Sequence, residues 1–213
     1  MFRRLNSDKG QAFPIYITVV AGLLFLAFAY FAWGQASVKR NDTQTAADAA
    51  SLAAAQDARD TLRTAMVDGL DMVTLQTLLD GKNPLSAPLT FKSCFEAGHL
   101  ADKNDARTRL GDGCRPGEYR GQTAYYVSVE SKKPVGKSVI PATETRQGTA
   151  SAVAVIQPRC RVMPTGASLP NGTDEAYLLV CDGRPDLLFD RMHVQELFPR
   201  ASDLFSVHLV NAN

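Results

Sequence analysis

The sequence predicts an α+β protein with a long amino-terminal transmembrane helix that continues into an alanine-rich helix, followed by a small mixed or antiparallel sheet domain with two disulfides. Residues 12–33 carry no charge, residues 44–59 contain eight alanines, and all four cysteines come later. The expected organisation is a cytoplasmic tail, a transmembrane helix, an alanine-rich helical stalk and an extracytoplasmic α+β domain. These correspond to residues 1–11, 12–33, 34–81 and 82–213.

Residues 12–33 read AFPIYITVVAGLLFLAFAYFAW, in which only Pro14, Thr18 and Gly22 lie outside the apolar set. A helix of this length covers about 33 Å, which is close to the thickness of a bilayer's hydrocarbon core. A buried core helix is the alternative, but such a helix usually carries polar residues on one face. The sequence therefore predicts a membrane span.

Basic residues before the span predict its orientation. Arg3, Arg4 and Lys9 precede it, with Asp8 as the one acidic residue, so we expect a cytoplasmic amino terminus and an extracytoplasmic carboxy-terminal domain. The rival interpretation is a cleaved secretory signal, because residues 34–36 (GQA) have a small-x-small pattern. The apolar stretch is longer than the roughly 7 to 15 residues of a signal peptide's apolar region. We therefore expect a single-pass protein of the cell membrane.

The alanine-rich segment, QTAADAASLAAAQDAR, predicts a helix because alanine is the best helix former. Ala46, Ala49, Ala50 and Ala53 follow the i, i+3, i+4, i+7 spacing and form a predicted helix-packing face of small side chains. Such a face suits close approach of another helix, and a helix folded back on its own domain is an equal alternative. Residues 41–43 (NDT) could interrupt the helix with a new start.

Cysteine spacing predicts disulfides in the exported domain. Four cysteines allow three pairings, and short loop closure favours Cys94 with Cys114 and Cys160 with Cys181. Four reduced thiols are the alternative, expected only in a cytosolic domain.

Strand patterns in the domain are short. We predict strands at residues 123–131, 149–156, 176–180 and 205–210, irregular segments at 91–120 and 157–173, and a short helix at 186–197.

Charge and motifs exclude several functions. The 213 residues include 23 basic and 22 acidic side chains, dispersed without a basic stripe, so no nucleic-acid partner is expected. Residues 136–138 (GKS) resemble the end of a P-loop, but Ser131 stands where that motif needs glycine, so no nucleotide is expected. Asp190, His193 and Glu196 share one face of the predicted helix, where a solvated polar face is favoured over a metal site. We expect no cofactor, no metal and no enzyme.

Residues 10–16 (GQAFPIY), the apolar helix and the segment QTAADAASLAAA together resemble TadE/TadG-like proteins of the tight-adherence (Flp) pilus system, especially the actinobacterial TadG-related type. Residues 125–159 carry a weaker similarity to the strands and proline turn of the same proteins. The resemblance implies a minor pilin-like or pilus-assembly protein whose partners are the membrane and other pilin-like or pilus-assembly proteins. The alternative is a single-span anchored extracytoplasmic enzyme or sensor that binds a cell-wall component.

The resemblance also implies a processing motif, from which this sequence departs. Prepilin-type substrates are cut after a glycine, here Gly10, and carry Glu at the fifth position of the new chain. This chain has Ile15 at that position and Tyr16 at the sixth. Without the carboxylate, nothing would neutralise a buried terminal ammonium on Gln11. The departure argues against processing at Gly10.

Overall fold

The computed structural model describes residues 12–69, 72–79, 87–111, 113–134, 145–164, 177–189 and 197–211. The helices are α1 (Ala12–Asp68), α2 (Met72–Leu79), α3 (Ala87–Lys103) and α4 (Ala201–Leu204). The strands are β1 (Ala106–Thr108), β2 (Cys114–Tyr119), β3 (Gln122–Ser131), β4 (Thr149–Pro158), β5 (Cys160–Pro164), β6 (Tyr177–Cys181), β7 (Leu187–Phe189) and β8 (Phe205–Val210). The predicted α+β class, with an apolar amino-terminal helix before the sheets, is confirmed.

Helix α1 is one unbroken helix of 57 residues, about 86 Å long. The possible interruption at residues 41–43 does not occur. Its two halves have different surroundings. Residues 13–31 are exposed throughout, whereas Thr43 is only 3% exposed and is the first buried side chain among the described residues of α1. The helix therefore enters the folded domain at Thr43.

Every strand pair in the described residues is antiparallel, which decides between the mixed and antiparallel sheets that the sequence left open. One sheet has the strand order β1-β3-β4-β8, and β2 also pairs with β3. A second sheet has the order β5-β6-β7. Strand β4 leads almost directly into β5, so the two sheets are joined at Arg159.

The alanine-rich half of α1 lies in the core of the domain. Ala46, Ala50 and Ala54 are fully buried, in the same hydrophobic cluster as Val127 of β3 and Ile156 of β4. Small side chains on the helix allow its backbone to approach both α3 and the large sheet closely. Residues 43–66 thus belong to the domain's own core, the arrangement that the sequence had left as an alternative to a separate stalk.

Helix α1 and strand β3 run side by side in opposite directions. Thr43 lies next to Gly148, whose carbonyl accepts a hydrogen bond from the Ser131 amide at 2.8 Å. Fourteen residues further along the helix, Asp57 is close enough to Tyr125 to influence its pKa. That distance is about 21 Å along a helix, and six residues of strand from Tyr125 to Ser131 cover about 20 Å. Strand β3 therefore runs towards the apolar end of α1.

Three sequence expectations for the domain were wrong in part. Residues 91–120, expected to be irregular, contain most of α3 together with β1 and β2. The inner face of α3 repeats every fourth residue through Ser93, Ala97 and Ala101, which are small and weakly apolar and therefore gave no clear helical pattern.

The other two differences lie around the second sheet. Strand β5 falls within the expected irregular segment 157–173, and strand β7 falls where a helix was expected at 186–197. Both are short strands that depend on pairing with β6, which a local sequence pattern does not reveal.

Candidate functional site

The exposed apolar half of α1 is the most distinctive surface of the chain. Phe13–Phe31 has a mean hydropathy of 2.1, and none of it is buried inside the protein. Phe25 is 72% exposed and Trp33 is 70% exposed. Water-exposed apolar patches of this size are rare on soluble monomers. Among the described residues, this is the one helix that is long and apolar enough to cross a membrane.

Two residues of the predicted processing motif lie within the described part of the chain. Ile15 and Tyr16 are 65% and 69% exposed, and the first turn of α1 contains no acidic residue. Gly10 and Gln11 lie outside the described residues.

The predicted alanine face is divided between the core and the surface of the domain. Ala46 and Ala50 are fully buried, whereas Ala49 and Ala53 are half-buried. The buried side of the helix also includes Ala47, Ala54, Ala55 and Ala58. Several alanine stripes satisfy the helical spacing in so alanine-rich a segment, so the sequence alone could not identify the innermost stripe.

One family match covers the apolar half of α1 and much of its buried half. Residues 10–57 match the model of the family described as Flp pilus-assembly TadE/G-like. This part of the chain is TadE/TadG-like. The resemblance noted in the sequence is thus confirmed, while the actinobacterial subtype stays a prediction. No significant match was found among curated proteins or solved structures.

Two disulfides stabilise the domain that follows the TadE/TadG-like helix. Cys94 on α3 is bonded to Cys114 on β2, with a Cα–Cα distance of 5.7 Å. Cys160 and Cys181 are register partners on β5 and β6 and are bonded at a Cα–Cα distance of 4.0 Å. These are the two pairings that loop closure favoured. They attach α3 to the large sheet and join two strands of the small one.

A small polar cluster lies between the TadE/TadG-like helix, α3 and β3. Ser93 donates a 2.8 Å hydrogen bond to Asp57 Oδ2. The Tyr125 hydroxyl is buried beside them and makes no hydrogen bond of ordinary geometry within the described residues. Burial raises the pKa of Tyr125, nearby Ser93 opposes that rise, and the negative charge of Asp57 adds to it. Sequence analysis missed this cluster because its three members come from distant segments.

Ion pairs gather at the end of the domain nearest the apolar half of α1. Lys132 pairs with Asp102, and Lys133 Nζ lies 3.5 Å from Asp105 Oδ1. The hydrogen bond and charge of Lys132 lower the pKa of Asp102. Arg107 pairs with Glu130 across strands β1 and β3.

Features that could support chemistry are few in the described ranges. No group of three or more His, Cys, Asp and Glu side chains there could hold a metal ion. An open cleft of about 250 Å³ lies beside the Cys160 disulfide, and among the described residues that line it Arg161 is the charged one. Two features noted in the sequence lie outside the described residues: the segment 136–138, which resembles the end of a P-loop, and the polar trio Asp190, His193 and Glu196.

Proposed function

We propose that this chain is a membrane-anchored, minor pilin-like subunit or assembly component of a Tad/Flp-type pilus system. The amino terminus is cytoplasmic and the disulfide-bonded domain is extracytoplasmic in this proposal. One observation carries it: a single unbroken helix joins an exposed apolar span to the core of the domain, and the family match lies on that helix.

The span is the surface through which we propose that this subunit contacts other pilin-like helices. Gly22 lies in the middle of the span, and a β-carbon placed there would meet no atom within 4 Å. A small residue at such a position allows two helix backbones to approach closely in a membrane. Ala46 and Ala50 are less suited to this role because the domain's own core already covers them. Ala49 and Ala53 are half-buried and could add to a contact outside the membrane.

The extracytoplasmic domain acts in this proposal as a rigid interaction module, and we propose no catalytic role for it. Its disulfides support such a role because one attaches α3 to the large sheet, the other joins two strands of the small sheet, and such bonds persist outside the reducing cytoplasm.

Co-purification from native membranes tests the assembly function. The tagged full-length chain should capture pilus-assembly proteins, and Gly22→Leu should reduce that capture while the protein stays in the membrane fraction. Leu24→Ile, which preserves side-chain volume on the same span, serves as the matched control. Absence of every pilus-assembly protein from the wild-type capture would refute the assembly function.

Lysine labelling tests the orientation. A membrane-impermeant amine reagent applied to intact cells should modify Lys92 and Lys132 on the domain but leave Lys9 unmodified. The reverse pattern would place the domain in the cytoplasm and contradict the proposed topology.

A further inference from the structure

The end of the domain nearest the span has a limited distance from the membrane because α1 is continuous from the span into the domain. Trp33, near the end of the span, is followed ten residues later by Thr43, where the domain begins. Ten residues of helix cover about 15 Å, and the headgroup layer accounts for about 5 to 8 Å of that distance. The first packed layer of the domain therefore lies only about 7 to 10 Å above the headgroups.

Three chain segments meet at the level of Thr43. Ser131 ends β3 close to Gly148 and Thr43, and Lys132 and Lys133 follow it in a bend whose Lys133 carbonyl accepts a 2.9 Å hydrogen bond from the Ser131 hydroxyl. We call residues 102–107, 130–134 and 145–149 the membrane-facing end, because contacts through Ser131 and Gly148 place them at the level of Thr43. The Lys132 amide donates to the Asp105 carbonyl at 2.8 Å, which attaches the first of these segments to the second.

The membrane-facing end carries a concentration of positive charge. Its exposed basic side chains are Lys103, Arg107, Lys132, Lys133 and Arg146. Its acidic side chains are Asp102, Asp105 and Glu130, so its net charge is +2. Residues 12–213 as a whole carry 20 basic and 21 acidic side chains, a net charge of −1. The remainder of residues 12–213 therefore has a net charge of −3, whereas this end is positive and complements an anionic surface.

We infer that the membrane-facing end lies on the outer surface of the membrane and binds anionic phospholipid headgroups. Of the three ion pairs of this end, those of Lys132 with Asp102 and Lys133 with Asp105 are solvent-exposed and therefore weak, so Lys132 and Lys133 can exchange a carboxylate for a lipid phosphate at little cost. Lys103 and Arg146 add charge beyond those three pairs. This inference rests on the proposed insertion of the span, which sets the height of the domain.

Lysine acetylation of the full-length chain in nanodiscs tests this contact. An anionic surface at about −30 mV raises the local proton concentration about threefold and lowers the reactive, deprotonated fraction of a nearby lysine by the same factor. Lys132 and Lys133 should therefore react about threefold more slowly in phosphatidylcholine discs that contain phosphatidylglycerol than in discs of phosphatidylcholine alone. The reagent should be uncharged, so that the membrane does not repel it.

Lys92 is the internal reference. It lies on α3 beside Ser93, which contacts Asp57, about 21 Å further along α1 than Thr43. The field of the membrane falls off over a Debye length of about 8 Å, so acetylation of Lys92 should not change with lipid composition. Arg146→Glu should reduce the slowing at Lys132 and Lys133, whereas Lys92→Glu should leave it unchanged.

The outcomes separate this inference from the proposed function. A chain that fails to incorporate into nanodiscs would refute the membrane anchor itself. A chain that incorporates, yet shows equal acetylation of Lys132 and Lys133 in both kinds of disc, would leave the anchor standing and overturn the lipid contact.

Discussion

Thr43 and Gly148 are packed so closely that a β-carbon on Gly148 would lie 2.7 Å from the Thr43 Oγ1 atom. Thr43 is on α1 and Gly148 directly precedes β4, so their contact marks the level at which the long helix enters the domain. Ser131 joins the same contact, since its hydroxyl accepts a 2.9 Å hydrogen bond from the Gly148 amide. The sequence offered no signal for this contact, because its three residues are brought together only by the folded sheet.

Gly148→Ala should destabilise the domain by about 1 to 3 kcal/mol, because the added methyl group has to displace buried Thr43. Gly98→Ala is the matched control: it lies inside α3, where a β-carbon would meet nothing within 4 Å. That change should stabilise the protein by about 0.5 to 1 kcal/mol through better helix propensity. Thermal unfolding of the full-length chain in detergent micelles measures both. Equal effects of the two variants would contradict the close packing at Gly148.

Ala50→Leu should destabilise the domain by about 1 to 3 kcal/mol, because Ala50 is fully buried in the core of the domain and a larger side chain has no room there. A surface role in assembly would instead leave domain stability unchanged. Gln56→Leu places the same side chain at an exposed position of the same helix and should change stability little. Far-ultraviolet circular dichroism during heating distinguishes the two variants. An unchanged melting temperature for Ala50→Leu would show that this face is not part of the core.

Features of the chain that are set by local composition could be predicted from the sequence, and features that depend on distant partners could not. The span, the helical nature of the alanine-rich segment and both disulfides could be predicted because each depends on composition or on short chain closure. The strand at 149–156 could be predicted from its alternating pattern, and the strand at 205–210 from a short apolar run. Helix α3 could not be predicted, since its inner face is built from small residues. Strands β5 and β7 could not be predicted either, because they are short and depend on pairing with β6. The cluster of Asp57, Ser93 and Tyr125 likewise requires three distant segments.

Tyr125→Phe should leave stability unchanged or raise it slightly at neutral pH, because it removes a buried hydroxyl that lacks a hydrogen bond of ordinary geometry. Tyr126→Phe is the matched control on the same strand. Its hydroxyl donates to the Glu118 carbonyl at 2.8 Å, so its loss should cost about 0.5 to 1.5 kcal/mol. Denaturant unfolding of both variants gives the comparison. A clear loss of stability in Tyr125→Phe would mean that the buried hydroxyl is well satisfied.

The raised pKa of Tyr125 adds an alkaline dependence. Its pKa in the folded protein lies above the ordinary value of 10.0, so the unfolded chain releases this proton first as pH rises. The corresponding stability is fully present below pH 10.0 and is lost as pH rises through the folded-state pKa. Tyr125→Phe should therefore flatten the decline of melting temperature above that pH, which a series of melting curves would show. An unchanged decline would assign the alkaline sensitivity to other groups.

Replacing Cys94 and Cys114 together by alanine should cost about 3 kcal/mol, since the bridge closes a loop of 20 residues. For a domain of this size, the melting temperature should fall by about 6 to 12 °C. Replacing Cys160 and Cys181, which are 21 residues apart, serves as a comparison with almost the same loop length. Similar losses would support the loop-closure account, and no loss in either would refute it.

Insertions into α1 test whether the span and the domain need a fixed relative rotation. Each residue added between Ser37 and Val38 rotates the domain by about 100° and lifts it by about 1.5 Å. Two alanines give about 200° and four give a net rotation of about 40°, although four lift the domain further. Capture of pilus-assembly proteins should therefore fall more with two alanines than with four. A steady fall with insertion length would show that height, rather than rotation, is what matters.

The absence of a hinge between Trp33 and Thr43 also determines how the protein responds to force. A flexible linker would lengthen under tension and isolate the anchor from whatever pulls on the outer domain. A continuous helix instead transmits a pull or a twist on the domain directly to the apolar segment. In the proposed membrane-anchored arrangement, such a pull is resisted by the hydrophobic cost of withdrawing Phe13–Phe31 from the bilayer.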